Sequence, residues 1–453
     1  MPLLDILFGR PLASENQRAE KIEPIAGIPI FGLDALSSAA YGPEAALTLL
    51  IPLGAMGIVY ILPISFSILV LLAILYFSYR QTIAAYPGGG GSYTVARENI
   101  GPGAGLLAAA ALMIDYVLTA AVGISAGVGA LVSAVPSLQP HTLAICLSIL
   151  LIIMIVNLRG LRESGAAFIL PTYVFVGCLF AMIGIGVVKA LIAGGHPVPV
   201  EAIPPMPPAS AMVSAWLLLQ VFSSGCAAMT GVEAVSNGVL AFREPTARNA
   251  QKTLTIIILI LMVLLAGIAY LSNAYHIGAT DPVKDYESVL SMLLRTVAGK
   301  GIFYYVSIGS ILLVLSLSAN TAFADFPRLC RIIAHDGYLP RSFASTGRRL
   351  VYSQGIYGLA ILTAGLLILF GGVTDRLIPL YAVGAFLAFT LSQAGMVVHW
   401  KRHGGPWQHK LVNGLGAFAT GVTTIVVLTA KFAQGAWVTV LLIPVMLITM
   451  IWI

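Results

Sequence analysis

The 453-residue chain is 58% hydrophobic, carries 9% charged residues and has a net charge of +6, with a mean hydropathy of +0.95. A soluble domain has about 25% charged residues, so recurrent apolar runs of about 20 residues define an all-α polytopic membrane protein embedded in a lipid bilayer. The surplus of Lys and Arg suits basic loops at a membrane face. No basic cluster interleaved with aromatics occurs, and a nucleic-acid partner is excluded. Cys146, Cys178, Cys226 and Cys330 lack metal-ligand spacing and read as small buried hydrophobes.

Residues 1–24 form a mildly amphipathic segment too short to span, with Arg10, Arg18 and Lys21, and are expected on the cytoplasmic side without a cleavable signal. The first apolar stretch, Ile25–Leu50, carries Asp34 and Glu44 and contains Tyr41-Gly42-Pro43. Pro43 lacks an N–H and disfavours helix at the residue before it, so a break is expected there. A second span, Gly57–Tyr79, leads to Pro87-Gly88-Gly89-Gly90-Gly91. No strand precedes these glycines and no Lys-Ser/Thr follows, so they read as a loop packed under the bundle rather than a phosphate cradle.

Further spans follow at Leu106–Val132, Leu143–Asn157 and Ala166–Leu191. Ala211–Ala241 is too long for a plain span and holds Gly225, Thr230, Gly231 and Glu233 in its middle. Thr253–Leu271, Phe303–Phe323, Gln354–Phe370, Leu377–Val397, Leu415–Ala433 and Trp437–Ile453 complete twelve transmembrane helices. With both termini cytoplasmic, only Lys189, Lys284, Arg295, Lys300, Arg376 and Lys431 of the 24 basic residues fall outside. That alternation satisfies the positive-inside rule.

Segments one and six lie five spans apart, and both are long, acid-bearing and glycine-interrupted. Interrupted segments at matching positions of two halves point to a transporter site, and an odd number of spans per half inverts the second repeat. The architecture is therefore a LeuT-like 5+5 inverted repeat plus two, with helices 1 and 6 broken. Residues 25–193 form the first repeat, 194–400 the second, and 401–453 the last two spans.

Asp34, Asp115 and Glu233 lie deep in these spans, with no Lys or Arg placed centrally to neutralise them. Such groups face a cavity and need a counter-charge, and hard oxygen ligands suit alkali cations or protons. Thr119 follows Asp115 by four residues on the same helical face. Thr230 stands at the break in segment six, and Tyr41 offers a phenolic oxygen beside Asp34. A poorly hydrated carboxyl can carry a proton near neutral pH, and Glu233 is assigned that role. An amino acid permease is disfavoured because these acids would repel a substrate carboxylate. An intramembrane aspartyl protease is excluded because Phe31-Gly32-Leu33-Asp34 lacks the glycine such a motif needs directly before the aspartate. A passive channel is disfavoured by two broken helices in inverted repeats.

The blocks LDALSSAAYG (Leu33–Gly42), SYRQTIAAYPGGGGSY (Ser78–Tyr93), DYVLTAAVGISAG (Asp115–Gly127), SSGCAAMTGVEAVSN (Ser223–Asn237) and IPLYAVGAF (Ile378–Phe386) resemble the amino acid–polyamine–cation superfamily, within it the KimA-type branch of the KUP potassium importers. The resemblance implies proton-coupled potassium uptake at a cell membrane, with potassium as substrate, the proton as coupling ion and no cofactor. It carries the cation site to Asp34, Tyr41, Asp115, Tyr116, Thr119, Thr230 and Tyr381, with Glu233 in proton coupling. A serine that the family has one turn beyond Thr119 is Gly123 here. Relatives continue past the twelfth span into a soluble cytoplasmic domain, whereas this chain stops at Ile453. A homodimer, and regulation by cyclic di-AMP through that domain, are therefore left open.

Overall fold

A computed structural model describes residues 21–89, 91–160, 165–281, 286–347 and 349–452. The amphipathic segment expected before residue 21 and the basic turn at 161–164 lie outside the described residues. Among them the chain is a bundle of helices: α1 (Pro24–Phe31), α2 (Leu33–Leu50), α3 (Ile61–Ala85), α4 (Ser92–Asn99), α5 (Pro102–Ala134), α6 (Thr142–Leu158), α7 (Gly165–Ile192) and α8 (Ala215–Gly225). After the short α9 (Ala234–Asn237) come α10 (Thr246–Ala274), α11 (Val289–Ala298), α12 (Ile302–His335), α13 (Ser353–Phe370), α14 (Thr374–Arg402), α15 (Trp407–Lys431) and α16 (Ala436–Trp452). Among the described residues, ten helical stretches are long and apolar enough to cross a membrane. One of them, Leu33–Ala85, contains both α2 and α3 around a kink at Gly54, while α16 is a shorter apolar helix.

The organising element is α5. Its apolar stretch is almost entirely enclosed, and its sequence is dominated by Ala, Gly and Ser. A helix apolar on every side belongs in the middle of a bundle, and small residues let neighbouring backbones come close enough for van der Waals packing. α12 and α14 pack along it. At Gly123 a Cβ would stand 2.6 Å from Ser318 Oγ and 2.9 Å from the Leu315 carbonyl. The glycine found at 123 thus admits α12, and the hydroxyl at that height comes from Ser318.

The interruption in segment one differs from the expectation. α2 runs unbroken through Tyr41-Gly42-Pro43, and the chain bends instead at Gly32, between α1 and α2. The clash that usually bars helix before proline involves the preceding Cβ, which Gly42 lacks. Pro29 already weakens the turn before Gly32. Segment six is interrupted as expected. A 3-10 turn over Cys226–Met229 follows α8, Thr230 is extended, and Gly231 has φ +78°.

Two other boundaries move. The polar connection before the eighth span contains α11, capped by Ser288 accepting from Ser291 N. The eighth span and the basic stretch after it are one 34-residue helix, α12. Its far end is clasped to α4, where Tyr93 Oη donates to Asp336 Oδ2 at 2.5 Å and Arg97 pairs with the same carboxylate at 2.6 Å. Burial, and then Asp336 itself, push the Tyr93 phenol up, so it remains a donor. The glycine loop before α4 packs against the end of segment six: a Cβ at Gly91 would meet Asn237 Oδ1 at 2.6 Å.

Candidate cation site between the interrupted segments

Segments one and six cross at backbone distance. A Cβ on Gly42 would lie 2.4 Å from Ala228 Cβ, and Ser38 Oγ donates to the Ala228 carbonyl at 2.7 Å. Gly231 is constrained as well, since its Cβ would stand 2.6 Å from Asp34 Oδ2 and 2.7 Å from Ala35 N. Only glycine combines that contact with a left-handed φ. Gly231→Ala is therefore expected to destabilise the protein by about 1–3 kcal/mol, from the left-handed strain plus displacement of Asp34. Thermal unfolding of the purified variant reads this out; an unchanged midpoint would mean Asp34 moves aside freely.

Four hydroxyls from four helical segments meet beside this crossing. Tyr381 Oη donates to Thr230 Oγ1 at 2.8 Å and lies 2.8 Å from Thr119 Oγ1. Tyr41 Oη stands 3.3 Å from Thr230 Oγ1 and 3.4 Å from Tyr381 Oη. All four residues are at most 4% exposed. Hydroxyls both donate and accept, so this ring can satisfy itself and can equally turn its lone pairs towards a cation.

Three carboxylates border the cluster's elements. Asp34 is in the first turn of α2, against Gly231. Asp115 is one turn below Thr119 on α5, 1% exposed, and neither of its oxygens has a hydrogen-bond partner among the described residues. Glu233 is 2% exposed at the end of the unwound stretch, and its Oε2 likewise has no partner among the described residues. None of the ion pairs among the described residues involves these acids. Buried charges without basic partners are stable only where something else supplies positive charge. No three His, Cys, Asp or Glu side chains among the described residues gather as a metal site would need. The convergence is one of hydroxyls.

Tyr116, expected among the cation ligands, is not part of the ring. Its hydroxyl accepts from Asn237 Nδ2 at 3.1 Å, at a cavity of about 240 Å³ lined also by Gly89, Gly91, Asp325 and Arg328. Asp325 was beyond the expected end of the eighth span, yet it is 5% exposed on α12 and pairs with Arg328 at 3.6 Å. On the opposite side a cavity of about 230 Å³ is lined by Gln139, Thr374, Asp375 and Tyr286. A pocket of about 20 Å³ between Tyr41, Glu44, Tyr286 and Asp375 separates it from the hydroxyl ring. Glu44 accepts there from Tyr286 Oη at 2.7 Å and from Val289 N at 3.2 Å. The acid at 44 was visible as a carboxylate in an apolar stretch; Tyr286, across a long connection, left no signal in the sequence.

Lys431, counted among the external basic residues and lying at the end of the expected eleventh span, has a fully buried side chain, with Nζ donating to the Ile378 carbonyl at 3.2 Å. Cys146, Cys226 and Cys330 are buried as expected, and Cys178 is partly so.

The sequence profile of the amino acid permease family matches residues 34–452. The Bacillus subtilis (strain 168) protein described as "Potassium transporter KimA" is 42% identical over 444 residues, which cover 98% of this chain and 72% of KimA. Identity at that level along almost the whole length, together with the profile match, makes this protein a member of the amino acid permease family, in the branch that contains KimA.

Proposed function

We propose that this protein takes up potassium across the membrane by alternating access, with protons as the coupling ion. The observation that carries the reading is Asp115: a buried carboxylate with neither oxygen partnered among the described residues, one turn from a ring of four hydroxyls. A desolvated alkali cation exchanges its water shell for such oxygens. The relative's name states potassium transport for KimA, which is 42% identical to this chain over 444 residues. In this reading the cation meets Asp34, Tyr41, Asp115, Thr119, Thr230 and Tyr381, and Tyr116 belongs to the path beyond.

Counting α1 with α2 and α8 with α9 as single interrupted crossings, and α3, α5, α6, α7, α10 and α12 to α16 as one each, gives twelve. Segments one and six then hold matching places in a LeuT-like 5+5 arrangement, and the 240 Å³ cavity beside Arg328 opens towards the basic, cytoplasmic side. Both termini are cytoplasmic in this arrangement, in a cell membrane.

The name of the matched profile favours a second substrate class, amino acids. A substrate carboxylate requires free amide donors at the break, and here Asp34 and Asp115 would oppose it. Uptake into proteoliposomes with the outside more acidic decides the matter. Saturable potassium uptake, competed by rubidium but not by a panel of amino acids, is expected; amino acid uptake without potassium uptake would overturn the proposal.

A further inference from the structure

Lys431 is the last residue of α15 and has no exposed surface. Lysines near helix ends in membranes ordinarily extend to water, and this one does not. Its only hydrogen bond to a described residue goes to the Ile378 carbonyl on α14. A buried ammonium with one backbone acceptor is costly, which makes it a functional residue by default.

Its surroundings show what the contact holds. Ile378 is followed by Pro379, which lacks the N–H that would close the turn back to Asp375, so α14 is weakest there. The two carbonyls flanking the proline each receive an outside donor: Ile378 O from Lys431, and Leu380 O from Thr439 Oγ1 of α16 at 3.2 Å. The residue after Leu380 is Tyr381, whose hydroxyl bridges Thr119 and Thr230. The end of α15 is itself held to segment six, because Gln220 Nε2 of α8 donates to the neighbouring Ala430 carbonyl at 3.1 Å. The end of α15 thus joins the element that carries Thr230 to the element that carries Tyr381.

We propose that Lys431 is a positioning residue for the hydroxyl ring, fixing α14 at its proline turn against segment six and so setting the distance between the Tyr381 and Thr230 hydroxyls. The proposal rests on the reading of that ring as the potassium site. Charge gives the tie its strength, since an ammonium-to-carbonyl bond is about twice as strong as a neutral one. It also assigns the last two helices a task, which is to brace the helix that supplies Tyr381.

The test compares wild type with Lys431→Met, Lys431→Arg and Gln220→Leu in lipid nanodiscs and proteoliposomes. Lys431→Met keeps the stem and removes both donor and charge. Hydrogen–deuterium exchange over residues 374–385 is expected to rise about fivefold in it, as local opening becomes easier. The KM for potassium is expected to rise about tenfold, with the maximal rate per folded transporter changed less than about threefold, the pattern of lost binding rather than lost turnover. Lys431→Arg should recover most of both effects. Unchanged exchange in Lys431→Met, or raised exchange with a wild-type KM, overturns the proposal. Should Lys431→Met fail to fold, Gln220→Leu decides: it should raise exchange and KM in the same sense, and wild-type values for both overturn the idea. If wild type takes up no potassium, the functional reading fails, while the exchange comparison still judges the brace.

Discussion

Asp115→Asn is expected to reduce potassium uptake by a hundredfold or more while raising the unfolding temperature of the cation-free protein. Both effects follow from one fact: among the described residues neither carboxylate oxygen has a hydrogen-bond partner, in a residue that is 1% exposed. A unit charge about 4 Å from a cation is worth about 4 kcal/mol at an effective dielectric of about 20, roughly a thousandfold in affinity before desolvation is charged against it. Asparagine keeps the shape and an acceptor oxygen but loses that attraction. Without a cation the sign reverses, because an unpartnered buried charge destabilises the fold and a neutral amide does so less. Melting curves with and without potassium therefore separate the roles: wild type should gain stability on adding potassium, and Asp115→Asn should start higher and gain nothing. Uptake within tenfold of wild type, or retained stabilisation by potassium, would remove Asp115 from the site.

Much of the fold was legible because a bilayer leaves few choices. Apolar runs and Lys/Arg alternation reported the helices to within a few residues for α6 and α13, whose expected limits, Leu143–Asn157 and Gln354–Phe370, nearly match the observed ones. The expectation failed where one residue cancels the usual effect of its neighbour. Pro43 signals a break, but Gly42 removes the Cβ that would have caused it, and the bend shifted to Gly32. α12 ran past its expected end because polar residues facing a cavity look like a loop in a hydropathy reading. That error concealed Asp325.

The site was legible in a different way. Asp34, Asp115 and Glu233 announced themselves as acids in apolar segments, and Thr119 shares a face with Asp115 through simple helical spacing. Tyr381 is 262 residues from Thr119, and no periodicity relates them; only resemblance to a family placed it in the site. Tyr116 entered by the same route, and its hydroxyl accepts from Asn237 rather than joining the ring. Lys431 was counted among the external basic residues because a lysine at a helix end ordinarily reaches water, and its burial against α14 is a tertiary fact.

Glu233→Gln is expected to cut net uptake driven by a pH gradient about thirtyfold, equivalent to ~2 kcal/mol, while leaving potassium binding near wild type. Glu233 differs from the other acids in its backbone as well as its position. It closes the unwound stretch begun at Thr230, and its own carbonyl accepts from Ser236 Oγ at 2.7 Å and Asn237 N at 3.2 Å, which anchors the turn to Asn237. Asn237 in turn donates to Tyr116 at the 240 Å³ cavity. Glu233 thus stands on the turn that leads to Asn237 and that cavity, apart from the hydroxyl ring proposed for the cation. Glutamine preserves the size and an acceptor oxygen, so the turn survives, but it cannot ionise. Wild-type uptake should increase as the external solution is acidified, because protonation on that side precedes release on the other; the variant should lose the dependence. Potassium–rubidium exchange at equal pH needs no net proton movement and should persist in the variant within about threefold. Wild-type pH dependence in Glu233→Gln would transfer the proton to another acid, with Asp325 on the same cavity the first to be replaced in turn.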